Sequence, residues 1–148
     1  IRDRARVISE GSKIAILSLG ARLGEVKKAS HILETFGLST TIVDARFAKP
    51  LDEDLIIKLS ENHEVIITIE EGSSCGFGSS VLNLLSNSSK LDSGLKIRTL
   101  TLPDRFIAHA TPEEMYAEAE LVKDKIVEKV LDTLNIKSPD LKIVDPKK

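Results

Sequence analysis

The sequence has no tryptophan, one tyrosine, one methionine and four phenylalanines. So few rings exclude the aromatic platforms on which single-stranded nucleic acid stacks, and they predict a core of aliphatic side chains. Charge of one sign is also lacking. Lys plus Arg number 21 and Asp plus Glu 23, a formal net charge of −2. No field results that would draw nucleic acid or an acidic membrane surface. No apolar run approaches the ~20 residues that cross a bilayer as a helix. The single cysteine, Cys75, cannot close an internal disulfide, which fits a reducing, cytoplasmic compartment. The opening Ile1-Arg2-Asp3-Arg4 has neither an initiator methionine nor a signal-peptide pattern, and it raises the expectation of a piece of something longer.

What is present suits one domain. A chain of 148 residues buries roughly 68–70% of the surface its unfolded form exposes. The hydrophobic fraction is 41%, mostly Ile, Leu, Val and Ala, enough for a core without staples.

Short apolar runs alternate with segments of helical period. Arg6–Ser9 reads as a short lead-in strand. Residues 13–19 (KIAILSL) have few polar positions, as expected of a strand covered on both faces. A helix follows with Leu23, Val26, Leu33 and Phe36 on one stripe, and Gly37 stands just beyond it as a left-handed cap. Residues 40–45 form the next strand. Asp52 is placed to cap a helix bearing Leu55, Ile56 and Leu59, with Leu51 and Ile56 spaced as a hydrophobic staple and Asn62 as the stop. Residues 65–69 (VIITI) read as a buried strand. A Gly/Ser loop over 72–80 leads into a short helix with Val81, Leu82, Leu84 and Leu85, and Lys96–Leu102 is the last strand. Thr111-Pro112-Glu113-Glu114 is a capping box for a final helix carrying Val122, Ile126, Val130 and Leu134. The domain spans 1–135, and 136–148 read as a polar tail with Pro139 and Pro146.

This alternation predicts a mostly parallel sheet with helices on both faces. Ligands of such folds bind beyond the carboxyl ends of the strands, here residues 18–22, 44–50, 70–79 and 103–109. The loop Glu70-Glu71-Gly72-Ser73-Ser74-Cys75-Gly76-Phe77-Gly78-Ser79-Ser80 draws most notice, since backbone N–H groups at a helix start can hold an anion. Its glycine spacing fits no dinucleotide fingerprint, and no Gly-Lys-Ser/Thr closes it as a P-loop. Two glutamates beside the half positive charge of a helix start disfavour phosphate, unless an arginine pairs with them. Contact with a neighbouring domain, or capping of the loop, is the favoured role for that pair.

Other candidate chemistry is weaker. Asp44 ends a strand like the phospho-acceptor of a receiver domain, but the acidic pair of a receiver is replaced by Ser18-Leu19-Gly20. Asp44 tied to its loop or to Arg46 is the better reading. His31, His63 and His109 lack metal-ligand spacing. Cys75 has no sequence-local base beside it, and no Gly-x-Ser-x-Gly elbow occurs among the loop serines. No residue stands out as an acid, base or nucleophile.

Three stretches in order resemble the last domain of the 1-deoxy-D-xylulose-5-phosphate synthase family. They are Asp44-Ala45-Arg46-Phe47-Ala48-Lys49-Pro50-Leu51-Asp52, Glu70-Glu71-Gly72 with Gly76-Phe77-Gly78-Ser79, and Leu102-Pro103-Asp104-Arg105-Phe106-Ile107. Ala15-Ile16-Leu17-Ser18 and Pro112-Glu113-Glu114-Met115-Tyr116 also fit, so the resemblance runs from about Arg4 to Leu134. It implies a transketolase C-terminal-type α/β fold, three layers with a five-stranded mixed sheet, residues 5–9 supplying its antiparallel strand. The family condenses pyruvate with D-glyceraldehyde 3-phosphate, releases CO2 and makes 1-deoxy-D-xylulose 5-phosphate for isoprenoid, thiamine and pyridoxal synthesis. Thiamine diphosphate and Mg2+ sit between the first two domains, so the resemblance implies no cofactor, metal or catalytic residue here. It implies instead packing against the preceding domains and a homodimer. Arg46, Lys49, Glu70, Glu71, Gly76, Gly78, Asp104 and Arg105 are the candidate interdomain or active-site-mouth contacts.

Two positions depart from the family. Relatives often carry a glycine where Cys75 stands. They also often carry an Asp and a later Gly near residues 122–125, where Val122-Lys123-Asp124-Lys125 predicts that the last two helices merge. Transketolase and the pyruvate dehydrogenase β subunit end in a similar domain, and the Leu-Pro-Asp-x-Phe-Ile string favours the synthase. A free-standing small-molecule-binding domain using the 72–80 loop and an interaction or regulatory domain are the readings from other classes.

Overall fold

A computed structural model describes residues 4–20, 22–46, 49–72, 76–103 and 110–137. The strands are β1 (Arg6–Ser9), β2 (Ile14–Ser18), β3 (Thr40–Asp44), β4 (Val65–Glu71) and β5 (Lys96–Leu102). The helices are α1 (Leu23–Thr35), α2 (Glu53–Asn62), α3 (Phe77–Asn87) and α4 (Pro112–Thr133). The strands form one sheet in the order β1-β3-β2-β4-β5. β2, β3, β4 and β5 are parallel, and β1 runs antiparallel to β3 at the edge. This is the five-stranded mixed sheet that the resemblance implied, with its odd strand where it was expected.

The central strands are apolar on both faces because both faces are covered. Ile14, Ile16, Ile42, Val65, Ile67 and Ile69 face α1 and α4, where Val26, Ala29, Leu33, Ile126 and Val130 complete one core. Ala15, Leu17, Val43 and Ile66 face α2 and α3, and pack with Ile56, Leu59, Phe77, Val81 and Leu85. The result is three layers built from aliphatic side chains, with Phe77 the one ring among the fully buried described residues.

The caps follow local chemistry. Asp52 accepts from the Leu55 N–H at 3.3 Å through Oδ1, and its Oδ2 accepts from the Ala5 N–H at 3.0 Å, which ties the lead into β1 to the start of α2. Leu51 and Ile56 both pack on the α2–α3 side of the sheet. Gly37 takes a φ of 76° just past α1. Thr111 and Glu114 close the capping box of α4 reciprocally, at 3.1 and 2.8 Å. α4 is one unbroken helix of 22 residues, as the missing glycine near 122–125 predicts. Beyond it, Ile136 still packs on the core and donates its N–H to Leu131 O at 2.9 Å.

Two boundaries differ from the sequence reading by more than one residue, both at the same corner. β4 runs on to Glu71, because the Gly72 N–H reaches Leu102 O at 2.7 Å and prolongs the ladder with β5. α3 starts at Phe77, four positions before the apolar residue Val81 that marks it in the sequence. Its first turn is held by a side chain from another element, described below.

Two outcomes are expected. Ile67→Ala, at a fully buried site in the central sheet, should cost about 2–5 kcal/mol in urea unfolding. On α4, a hydrogen bond from Lys123 holds the Glu120 carboxyl below its ordinary range, burial opposing and the charges of Lys123 and Lys28 assisting. A lowered carboxyl stabilises the fold above its unfolded value, and that contribution disappears as pH falls through the lowered one. The gap between the parent and Glu120→Gln, up to about 1 kcal/mol for a pair that water still reaches, should therefore close on acidification.

Candidate functional site

The chain reverses direction across the sheet between β2 and β4: β3 lies on one side of this point and β5 on the other. In open α/β sheets the crevice at the carboxyl ends of two such strands is the usual ligand site. Here the residues at that point are the segment after Ser18, the pair Glu70 and Glu71, and the start of α3.

Successive side chains of a strand point to opposite faces, so the two glutamates part company. Glu70 turns toward α3 and is 9% exposed. Its Oε1 accepts from the Phe77 N–H at 2.6 Å and from the Gly78 N–H at 3.3 Å. Gly76, the N-cap, has no side chain to do this and sits at a φ of 74°, in the left-handed region that favours glycine. A full negative charge thus already occupies the positive end of α3. Gly78 has a different task. A Cβ there would stand 2.9 Å from Thr68 Oγ1 and 2.9 Å from Thr99 Cγ2, so its lack of a side chain lets α3 lie close on β4 and β5.

Glu71 turns toward α1 and α4. It meets Arg22, which precedes α1 and whose side chain is 1% exposed. Arg22 Nε donates to Glu71 Oε2 at 3.1 Å, and Nη1 donates to Glu118 Oε1 at 3.2 Å, with Glu25 Oε2 at 3.7 Å. Burial opposes the charge on Arg22, but the hydrogen bond to Glu118 and the fields of Glu118, Glu71 and Glu25 outweigh it and hold the guanidinium above its ordinary value. One cation therefore ties β4, α1 and α4 together. The arginine whose absence would have excluded phosphate is present, yet it is taken up by three carboxylates, while Glu70 holds the helix start.

The remaining candidates lie elsewhere. Arg46 is exposed on the segment after β3, at a φ of 67°, and its N–H donates to Asp44 Oδ1 at 3.1 Å. Asp44 also faces Arg6 at 4.0 Å, so it is tied to its loop as expected. Lys49 is exposed on the same connection. Asp104, Arg105, Cys75 and His109 lie outside the described residues. His63 is half-buried, and its Nδ1 donates to Leu59 O at 2.9 Å. Among the described residues, no three His, Cys, Asp or Glu side chains gather as a metal site. The structure thus unites Glu70, Gly76 and Gly78 in one capping unit and places Glu71 in an adjoining charge cluster.

The sequence reading passed over Arg22, Glu25 and Glu118. One signal was available: Arg22 stands where a helix start usually has Ser, Thr, Asp or Asn. Glu118, 96 positions away from Arg22, left no local trace.

With this geometry, likeness to known proteins decides the family. The family model described as "Transketolase, C-terminal domain" matches residues 3–126. The chain belongs to the transketolase C-terminal domain family. A solved structure described as "Split gene transketolase, inactive beta4 tetramer" is 26% identical, with a TM-score of 0.71 over 92% of this chain. A 2-oxoglutarate:ferredoxin oxidoreductase from Magnetococcus marinus shares the fold at 15% identity, with a TM-score of 0.50 over 88% of this chain. This transketolase C-terminal domain spans 44% of the first of those chains and 19% of the second. No described helix of it is long and apolar enough to cross a membrane.

Arg22→Met should destabilise the domain by about 2–3 kcal/mol, because it removes the cation that Glu71 and Glu118 share; their partial exposure keeps the cost below that of a fully buried pair. Arg22→Lys should recover only part of this, since one ammonium cannot reproduce the separate Nε and Nη1 contacts. Equal stability of all three proteins in urea would contradict the arrangement.

Proposed function

We propose that this is the C-terminal domain of a 1-deoxy-D-xylulose-5-phosphate synthase and that it serves packing and assembly rather than chemistry. The whole enzyme would condense pyruvate with D-glyceraldehyde 3-phosphate, with loss of CO2, to give 1-deoxy-D-xylulose 5-phosphate in the cytoplasm, as a homodimer. The three strings beginning at Asp44, Glu70 and Leu102 support the synthase in particular. The observation that carries the non-catalytic role is that Glu70 and Glu71 are both turned inward, one onto α3 and one onto Arg22.

The family implies thiamine diphosphate and Mg2+, and the described residues do not fit them. A diphosphate needs N–H donors or cations, and those at the carboxyl ends of β2 and β4 already hold carboxylates. Both groups are assigned to the preceding domains of a longer polypeptide. On this reading Glu70, Glu71, Gly76 and Gly78 set the shape of the docking end. Arg46 and Lys49, exposed beside it, and Asp104 and Arg105 make the contacts with the neighbouring domain or the active-site mouth.

The match to the split-gene transketolase favours a second reading, the last domain of another transketolase-like enzyme. The two separate cleanly by assay of the longer polypeptide with thiamine diphosphate and Mg2+. Release of CO2 from pyruvate that depends on glyceraldehyde 3-phosphate marks the synthase, and two-carbon transfer between sugar phosphates marks a transketolase. In the same polypeptide, Arg46→Ala with Lys49→Ala should lower turnover or weaken the dimer several-fold with little loss of domain stability. Unchanged turnover and unchanged dimerisation would contradict the contact role.

A further inference from the structure

β5 is an edge strand with the marks of one that is to be covered. It has seven residues and pairs with β4 in seven unbroken rows, longer than the usual five or six. It contains no proline and no bulge, which are common devices that blunt an edge. The Lys96 N–H reaches Glu64 O, and Leu102 O accepts from Gly72. Ladder alternation therefore turns the main chain of 96, 98, 100 and 102 toward β4, and that of Ile97, Thr99 and Thr101 toward the open side. Two exposed charged side chains, Lys96 and Arg98, guard it, and Arg98 Nη1 folds back to donate to Ile97 O at 2.8 Å. On the two faces of the strand, Ile97 and Leu100 are only half-buried.

We propose that a second copy of this chain covers this edge, the two β5 strands pairing antiparallel about a two-fold axis at Thr99. The inference deepens the assembly role above and rests on it. In this register Thr99 faces its own counterpart, and Ile97 faces Thr101 of the other copy. Each of these residues exchanges both main-chain bonds with its opposite. The charges are compatible: the registers centred on Ile97 or Arg98 bring two cations together, whereas this one pairs all seven residues of KIRTLTL without doing so. Lys96 falls opposite Leu102 and Arg98 opposite Leu100, so no two cations meet directly. The methylene stem of Arg98 then covers the half-buried Leu100 of the other copy while its charged end stays in water. Arg98 gives up Ile97 O to a backbone N–H of the second strand.

The test uses this chain with Cys75→Ser, so that no native thiol interferes. Light scattering should give twice the 16.2 kDa of one chain. Under mild oxidation Thr99→Cys should form a covalent dimer, because directly opposed, hydrogen-bonded residues lie about 5.5 Å apart at Cα, within disulfide reach. Arg98→Cys, offset by two rows from its counterpart, should not. A chain that stays at 16.2 kDa, which would leave the edge to the rest of its own polypeptide, overturns the proposal. So does a dimer in which Thr99→Cys cross-links no better than Arg98→Cys. Either failure leaves the assay that identifies the enzyme untouched.

Discussion

The carboxyl end of this domain is organised by one buried guanidinium. Arg22 stands where β2 gives way to α1, at the point where an open α/β sheet would otherwise open into a crevice. Its contacts with Glu71, Glu118 and Glu25 reach the last residue of β4 and one residue in each of α4 and α1. An arginine can do this because its nitrogens are fixed in a plane and address different partners at once. Burying the guanidinium costs desolvation, which the attraction of its carboxylates offsets, and Glu71 and Glu118 stay partly in water, where repulsion among the carboxylates is screened.

Glu70 completes the closure on the opposite face. A helix start whose cap is a glycine needs an acceptor from elsewhere, and Glu70 supplies it from within β4. The same N–H groups would have been the natural seat of a phosphate. Adjacent residues of a single strand, separated only by strand alternation, thus remove both of the polar resources that a ligand would use. Arg46 and Lys49 stay exposed at its surface.

Much of the fold was legible because it rests on local signals. The β2 and β4 runs are apolar at most of their covered positions, Ser18 and Thr68 being the buried polar exceptions ahead of the glutamates, and Asp52, Gly37 and the Thr111 box mark their helices through residues a few positions apart. The antiparallel β1 came from the family resemblance rather than from the pattern of RVIS, whose burial alternates too weakly to place it. The start of α3 was missed because Glu70, its cap, lies seven residues upstream in another element, and a reading of apolar periodicity begins only at Val81. The charge cluster was missed for a related reason. The pairing of Arg22 with Glu71 and Glu118 exists only after the sheet has formed.

The central claim is that the crevice at the ends of β2 and β4 is filled by the domain's own charged groups. Thermal unfolding of this chain with phosphate, pyrophosphate or thiamine diphosphate plus Mg2+, at constant ionic strength, tests it most directly. The account predicts a midpoint that does not move with any of them. A midpoint that rises by several degrees and saturates with concentration, as binding to the folded state requires, would contradict it.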